Sequence, residues 1–261
     1  MASSARNPSQ SVETRGASAY VAEFVGTLLL VFAIGSAASA NSEAGLGFTD
    51  FVTIGLVHAF ALTVLVATFG RFSGGHFNPA VTIALLALKK ISPANAIGYV
   101  VIQFLGAIAA AGLLALAFTT DIETIANLGA PAPTKELVVG KDGMWGGAIF
   151  EFIGVFILVG AVVATAVAPG GDRRFAPIVI GTALGVANLI AAPFTGGALN
   201  PARAFGPALI GNSFGEAVVF IVVYIVAPIV AGLVAALLYN VLLGDDKHRE
   251  TTEVDTLSDE S

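Results

Sequence analysis

The chain contains no cysteine. Disulfide bracing, thiolate metal ligation and thiol redox chemistry are excluded with it. So is thiol-mediated block by mercury; a mercury inhibition reversed by a thiol reductant would contradict that expectation. Charge is scarce too, at 11% of 261 residues, against roughly 25% in soluble domains. That is too little for an ordinary water-facing surface, and a bilayer as solvent removes the need for one. The three histidines, His58, His76 and His248, are scattered. With no cluster of metal-ligand spacing and no evident Ser-His-Asp arrangement, no metal, no cofactor and no enzymatic activity are expected. The net charge of −6 gathers in the C-terminal tail, and no basic stripe suggests nucleic acid.

Long apolar runs fill most of the chain. A spanning helix needs roughly 20 mostly apolar residues, and six segments qualify, at about 19–40, 52–70, 94–118, 145–168, 175–193 and 217–243. No charge falls between Asp50 and Arg71, between Lys90 and Asp121, or between Glu216 and Asp245. The first 18 residues are polar and lack the short apolar core of a cleavable signal. Residues 244–261 read as a disordered acidic tail. The expected organisation is a tail at 1–18, a membrane-spanning domain at 19–243 with repeat halves at about 19–118 and 145–243, and the tail at 244–261.

Two apolar stretches, 78–88 and 200–211, are each about half a span long. Both open with Asn-Pro-Ala: Asn78-Pro79-Ala80 and Asn200-Pro201-Ala202, 122 residues apart. Asn caps a helix and Pro fits its first position. The longer strings, Ser73-Gly-Gly-His-Phe-Asn-Pro-Ala80 and Thr195-Gly-Gly-Ala-Leu-Asn-Pro-Ala202, repeat as well. A half-helix cannot end in lipid, because its free backbone groups would go unpaired; these two imply a cavity. The openings Glu23-Phe-Val-Gly26 and Glu151-Phe-Ile-Gly154 form a second repeated pair, 128 residues apart.

With the N-terminus inside, Arg6, Arg15, Arg71, Lys89, Lys90, Arg173, Arg174, Lys247 and Arg249 fall on the cytoplasmic side. Only Lys135 and Lys141 then lie in the outer loops. Positive residues favour the cytoplasmic side, so both termini are expected there. Three spans per half is an odd number, so the second half is inverted and the half-helices enter from opposite faces. Such interrupted segments at matching places point to a transport site.

The two Asn-Pro-Ala boxes, the Glu-x-x-Gly openings of spans one and four, and Arg203 after the second box resemble the aquaporin, or major intrinsic protein, family over roughly residues 19–243. The resemblance implies an all-α membrane protein. Six transmembrane helices in a right-handed bundle and two re-entrant half-helices, in an inverted repeat, would form a pore in each subunit of a homotetramer. It implies a passive channel for water and small neutral solutes across a lipid bilayer, excluding protons and ions. Ala204 follows Arg203 where glycerol facilitators usually carry Asp, which favours the water branch.

Carried over by the resemblance, Asn78 and Asn200 donate to passing water, and the half-helix N-termini, with roughly +0.5 elementary charge each, repel cations. Carbonyls of Gly74, Gly75, His76, Phe77, Gly196, Gly197, Ala198 and Leu199 would form an acceptor ladder. The filter positions are His58, Asn188, Gly197 and Arg203. His58 and Gly197 match vacuolar-type plant channels, whereas Asn188 replaces their aliphatic residue. The small Gly197 and the polar Asn188 suggest a constriction wider than that of a water-only pore. Glu23 and Glu151, the only carboxylates inside predicted spans, are expected to hold the re-entrant loops. The plasma membrane is the expected location, with the vacuolar membrane as the alternative. Two other readings stay open: a broader glycerol, urea or ammonia facilitator, and a secondary active transporter, for which only Glu23 and Glu151 could couple ions.

Overall fold

The computed structural model describes residues 16–44, 49–118 and 126–242, and among these every regular element is helical. The C-terminal tail and residues 1–15 of the N-terminal tail lie outside the described residues. In chain order the elements are α1 (Ala17–Ala44), α2 (Thr49–Ser73), the short α3 (Pro79–Ala87) and α4 (Pro93–Ala117). A single turn, α5 (Ala126–Gly129), precedes α6 (Met144–Val162), which runs on into a wide π turn at Val163–Val167. Then follow α7 (Ala176–Thr195), the short α8 (Pro201–Ile210) and α9 (Ala217–Leu242). The helices α1, α2, α4, α6, α7 and α9 are long and apolar enough to cross a membrane.

The short helices α3 and α8 have 9 and 10 residues. At roughly 1.5 Å per residue each spans about half of a hydrocarbon core of roughly 30 Å. Their starts are fixed chemically. Asn78 and Asn200 sit in extended backbone, at φ −156° and −160°, with Pro79 and Pro201 at the first helical position. The Asn78 Oδ1 accepts from Ala80 N at 2.9 Å. The Asn200 Oδ1 accepts from Ala202 N at 3.0 Å and Arg203 N at 3.3 Å. Each cap thus satisfies donors that a helix start inside a membrane would otherwise leave unpaired.

The spans pack through small residues, as expected where the surrounding lipid is as apolar as the side chains. α2 crosses α7 where Gly55, Ala59 and Gly185 meet, and a Cβ at Gly185 would come within 2.7 Å of the Ala59 Cβ. A side chain on Gly206 would strike the backbone carbonyl of Ala107, so α8 lies backbone to backbone on α4. The outward faces stay apolar. On α2, Val52, Leu56, Phe60 and Val64 are exposed at four-residue spacing, one continuous stripe along the helix. The core therefore sits around α3 and α8, with the spans as a sleeve.

Candidate functional site

The two boxes meet inside this sleeve. Asn78 Nδ2 donates to the carbonyl of Leu199 at 2.8 Å, and Asn200 Nδ2 donates to that of Phe77 at 2.9 Å. The bonds are reciprocal: each cap residue grips the residue that precedes the other cap. Each amide nitrogen thus spends one of its two hydrogens on the protein and keeps one for the cavity.

Phe77 and Leu199 are held in the left-handed region, at φ 48° and 56°, a conformation that costs about 1–3 kcal/mol for a residue other than glycine. The acids supply the restraint. Glu23 accepts from His76 N at 2.9 Å, Phe77 N at 2.7 Å, Ser73 Oγ at 2.6 Å and Gln103 Nε2 at 2.7 Å. Glu151 accepts from Ala198 N at 2.8 Å, Leu199 N at 2.6 Å and Thr195 Oγ1 at 2.7 Å. One turn later the paired glycines matter. A Cβ on Gly26 would collide with the Phe77 ring, and one on Gly154 with the Leu199 side chain. Each Glu-x-x-Gly opening therefore receives one loop residue twice, its backbone N–H on the carboxylate and its side chain over the glycine.

A narrow cavity runs past the boxes. Leu30, Ile34, Leu62, Val81, Leu158, Val162, Ile180 and Leu184 give it an apolar wall, broken by a polar stripe of His58, Arg203, Ala198, Asn200, Asn78, His76 and Gly75. Among the described residues no hydrogen bond reaches the carbonyls of Gly74, Gly75, His76, Gly196 or Ala198. Three members of the ladder expected from the sequence also accept a bond within the protein, each keeping a second lone pair. The carbonyls of Phe77 and Leu199 tie the two boxes together, and that of Gly197 accepts from Asn188 Nδ2 at 3.0 Å.

The four filter positions divide. His58 and Arg203 line the cavity; Asn188 and Gly197 do not. Arg203 is 3% exposed, and its Nε and Nη1 have no partner in the protein. His58 Nδ1 lies 2.8 Å from the Ile54 carbonyl, an obligate acceptor, so Nδ1 carries the proton. His58 Nε2 then accepts from Asn188 Nδ2, 3.4 Å away. Asn188 thus links the His58 ring to the Gly197 backbone. Its amide nitrogen occupies the space that a Cβ on Gly197 would take. The space beside Gly197 that the sequence suggests is open is thus taken by the Asn188 amide.

Among the described residues no group of three or more His, Asp or Glu could hold a metal ion. The geometry is that of a lined passage, and its relatives agree. The family model of the Major intrinsic protein matches residues 9–239. The chain belongs to the major intrinsic protein family. It is 40% identical over 208 residues to a probable aquaporin TIP-type RB7-5A of Nicotiana tabacum, covering 77% of this chain and 79% of that one. It is 41% identical over 210 residues to aquaporin TIP2-1 of Arabidopsis thaliana, covering 78% and 80%. The fold is similar to that of the aquaglyceroporin from Plasmodium falciparum, with a TM-score of 0.70 and 23% identity over 85% of this chain and 94% of that one. The protein is an integral membrane channel for water, of a transport protein family.

Several residues of this aquaporin's loop supports were not singled out from the sequence. Ser73 Oγ and Thr195 Oγ1 accept from Gly75 N and Gly197 N at 3.0 and 3.1 Å. Tyr99 donates to the Ser73 carbonyl at 2.9 Å, and Tyr224 to that of Thr195 at 2.7 Å. Ser73 and Thr195 open the two repeated strings, so their signal was present. Tyr99 and Tyr224 lie 125 residues apart, a repeat that single tyrosines in apolar runs do not advertise.

Proposed function

We propose that selection occurs where Arg203 and His58 face each other across the cavity, with Asn188 bracing His58 from behind. The observation that carries this reading is the Asn188 amide, bonded to both the His58 ring and the Gly197 carbonyl. It keeps His58 in one tautomer and closes the hollow over Gly197. Water passes rapidly, and molecules of its size such as ammonia and hydrogen peroxide follow it. Urea and glycerol are held back, so the broader-facilitator reading is the second one.

At the boxes, the remaining N–H of Asn78 and of Asn200 donates to the water oxygen between them. That water cannot then accept a proton from its neighbour, and relay along the file is interrupted. The positive ends of α3 and α8 oppose cations at the same point. A transporter reading would need Glu23 or Glu151 free to load a proton, and both are occupied by loop donors.

Both termini are placed in the cytoplasm by the excess of Lys and Arg on that face. The apolar stripe of α2 is assigned to the contact between subunits of a homotetramer, because α2 buries least of its length within one subunit. The vacuolar-type pattern at His58 and Gly197, together with the TIP-type relatives, favours a vacuolar membrane; the plasma membrane finds no support among them.

Asn188→Ala tests the filter. Deleting the amide reopens the hollow over Gly197 and frees His58 Nε2. Urea uptake into proteoliposomes is expected to rise about tenfold, the scale of 1.4 kcal/mol in a barrier, while water flux changes little. Unchanged urea uptake in protein of normal yield would place selection elsewhere.

A further inference from the structure

We infer that Thr82 fixes the tautomer of His76, so that His76 turns a bare Nε2, a hydrogen-bond acceptor, toward the pore. Thr82 Oγ1 has three neighbours: the Asn78 carbonyl at 3.1 Å, Gln103 Nε2 at 2.9 Å and His76 Nδ1 at 3.1 Å. A hydroxyl has one proton to give and two lone pairs to fill. Gln103 is fixed as a donor here, because its amide nitrogen also donates to the Glu23 carboxylate at 2.7 Å; the flipped amide would set oxygen against carboxylate. The Asn78 carbonyl can only accept, so the hydroxyl proton goes to it, as threonines in helices often bond four residues back. His76 Nδ1 must then donate. The opposite assignment, with the hydroxyl donating to His76, makes one hydrogen bond fewer, because the Asn78 carbonyl then keeps only the Thr82 N–H at 3.0 Å.

The ring is held in place by the edge of Tyr99, centroids 5.1 Å apart. His76 lines the cavity, and among the described residues its ring bonds only through Nδ1, with no hydrogen bond reaching Nε2. The acceptor matters for the direction of the water file. Waters that give their oxygens to Asn78 and Asn200 point their hydrogens away from the boxes. The open carbonyls of Gly75 and His76 take such hydrogens, and a bare Nε2 continues the series. An Nε2–H would hold a water by its oxygen and turn it round against the file. Thr82 is therefore a positioning residue, acting through His76.

This device is absent from the second half. At the same spacing of 122 residues, His76 is matched by Ala198 and Thr82 by Ala204. The carboxylate, the hydroxyl and the tyrosine that support each loop are present in both halves. Supporting the loop is therefore a separate task from setting the ring.

The test is nitrogen-15 solid-state NMR of the full chain in liposomes with labelled histidine, read beside osmotic water flux. Labelled phenylalanine selects His76 through His76–Phe77, the only His-Phe pair in the sequence. The wild type is expected to show a protonated Nδ1 and a bare Nε2. Thr82→Val, nearly isosteric, should populate the Nε2–H tautomer and lower water flux about fivefold, the scale of one net hydrogen bond; Thr82→Ser should restore both. A wild-type spectrum with a protonated Nε2 overturns the inference, even if Thr82→Val fails to fold. A tautomer or a flux indifferent to Thr82→Val overturns it as well. The inference rests on the channel reading: absent water flux in the wild type would count against that reading, while the spectrum would still judge this one.

Discussion

Glu151→Leu is expected to leave almost no folded protein. The substitution strips the partners from Ala198 N and Leu199 N, both buried at membrane depth, and leaves Thr195 Oγ1 only the Ala191 carbonyl at 3.1 Å. Each unpaired group costs about 1–3 kcal/mol. The left-handed Leu199, at φ 56°, loses its anchor while its strain of about 1–3 kcal/mol remains. The total rivals a whole domain's stability of roughly 5–15 kcal/mol. Glu151→Gln keeps one acceptor oxygen but turns the other into a donor facing donors, so its yield should fall about tenfold, the factor for 1.4 kcal/mol. Protein that does fold should show unchanged selectivity, since the side chain does not line the cavity. Gly154→Leu reaches the same loop sterically, against the Leu199 side chain, and should fail in the same way. Yield after size-exclusion chromatography and helical circular dichroism measure all three. A Glu151→Leu protein of normal yield and flux would remove the anchoring account of the acids.

The second large effect is expected at Arg203. Arg203→Val removes both charge and bulk from a cavity that the guanidinium lines with two nitrogens unpartnered by protein. A cation passing about 5 Å from that charge meets a repulsion of roughly 3 kcal/mol at an effective dielectric of about 20. Its loss should raise urea uptake and cation leak by about tenfold to a hundredfold. Proton leak should rise less, because the half-helix N-termini and the two asparagines still interrupt the file. Water flux, urea uptake and a potassium-driven vesicle potential separate these terms. If urea and cation flux both stayed at wild-type levels, Arg203 would have no part in selection.

Much of the architecture was legible because the bilayer leaves the chain few options. A run without charge must be a spanning helix, and a half-length run opening Asn-Pro must be buried and capped. The expected half-helices at 78–88 and 200–211 are observed at Pro79–Ala87 and Pro201–Ile210. The inversion followed from an odd number of spans per half. Side-chain geometry was less accessible. Reading Gly197 as empty space ignored what a neighbour nine residues earlier could do, and Asn188 fills it. The carbonyls of Phe77 and Leu199 read like their neighbours in the string, yet the opposite half of the molecule claims them. That pairing joins residues more than 120 positions apart, and no local pattern reports it. Gln103 and Thr82 are isolated polar residues within apolar stretches of α4 and α3, whose partners only the packing of the helices reveals.

The most direct measurement is stopped-flow light scattering on proteoliposomes, with osmotic water flux compared against urea and glycerol uptake beside empty liposomes. Water flux well above the empty liposomes, with urea and glycerol at their background, is the predicted result. Water flux equal to that of empty liposomes, in protein of intact helical fold, would contradict the passage of water between the two boxes. Glycerol uptake rising with water flux would contradict the closing of the filter by Asn188.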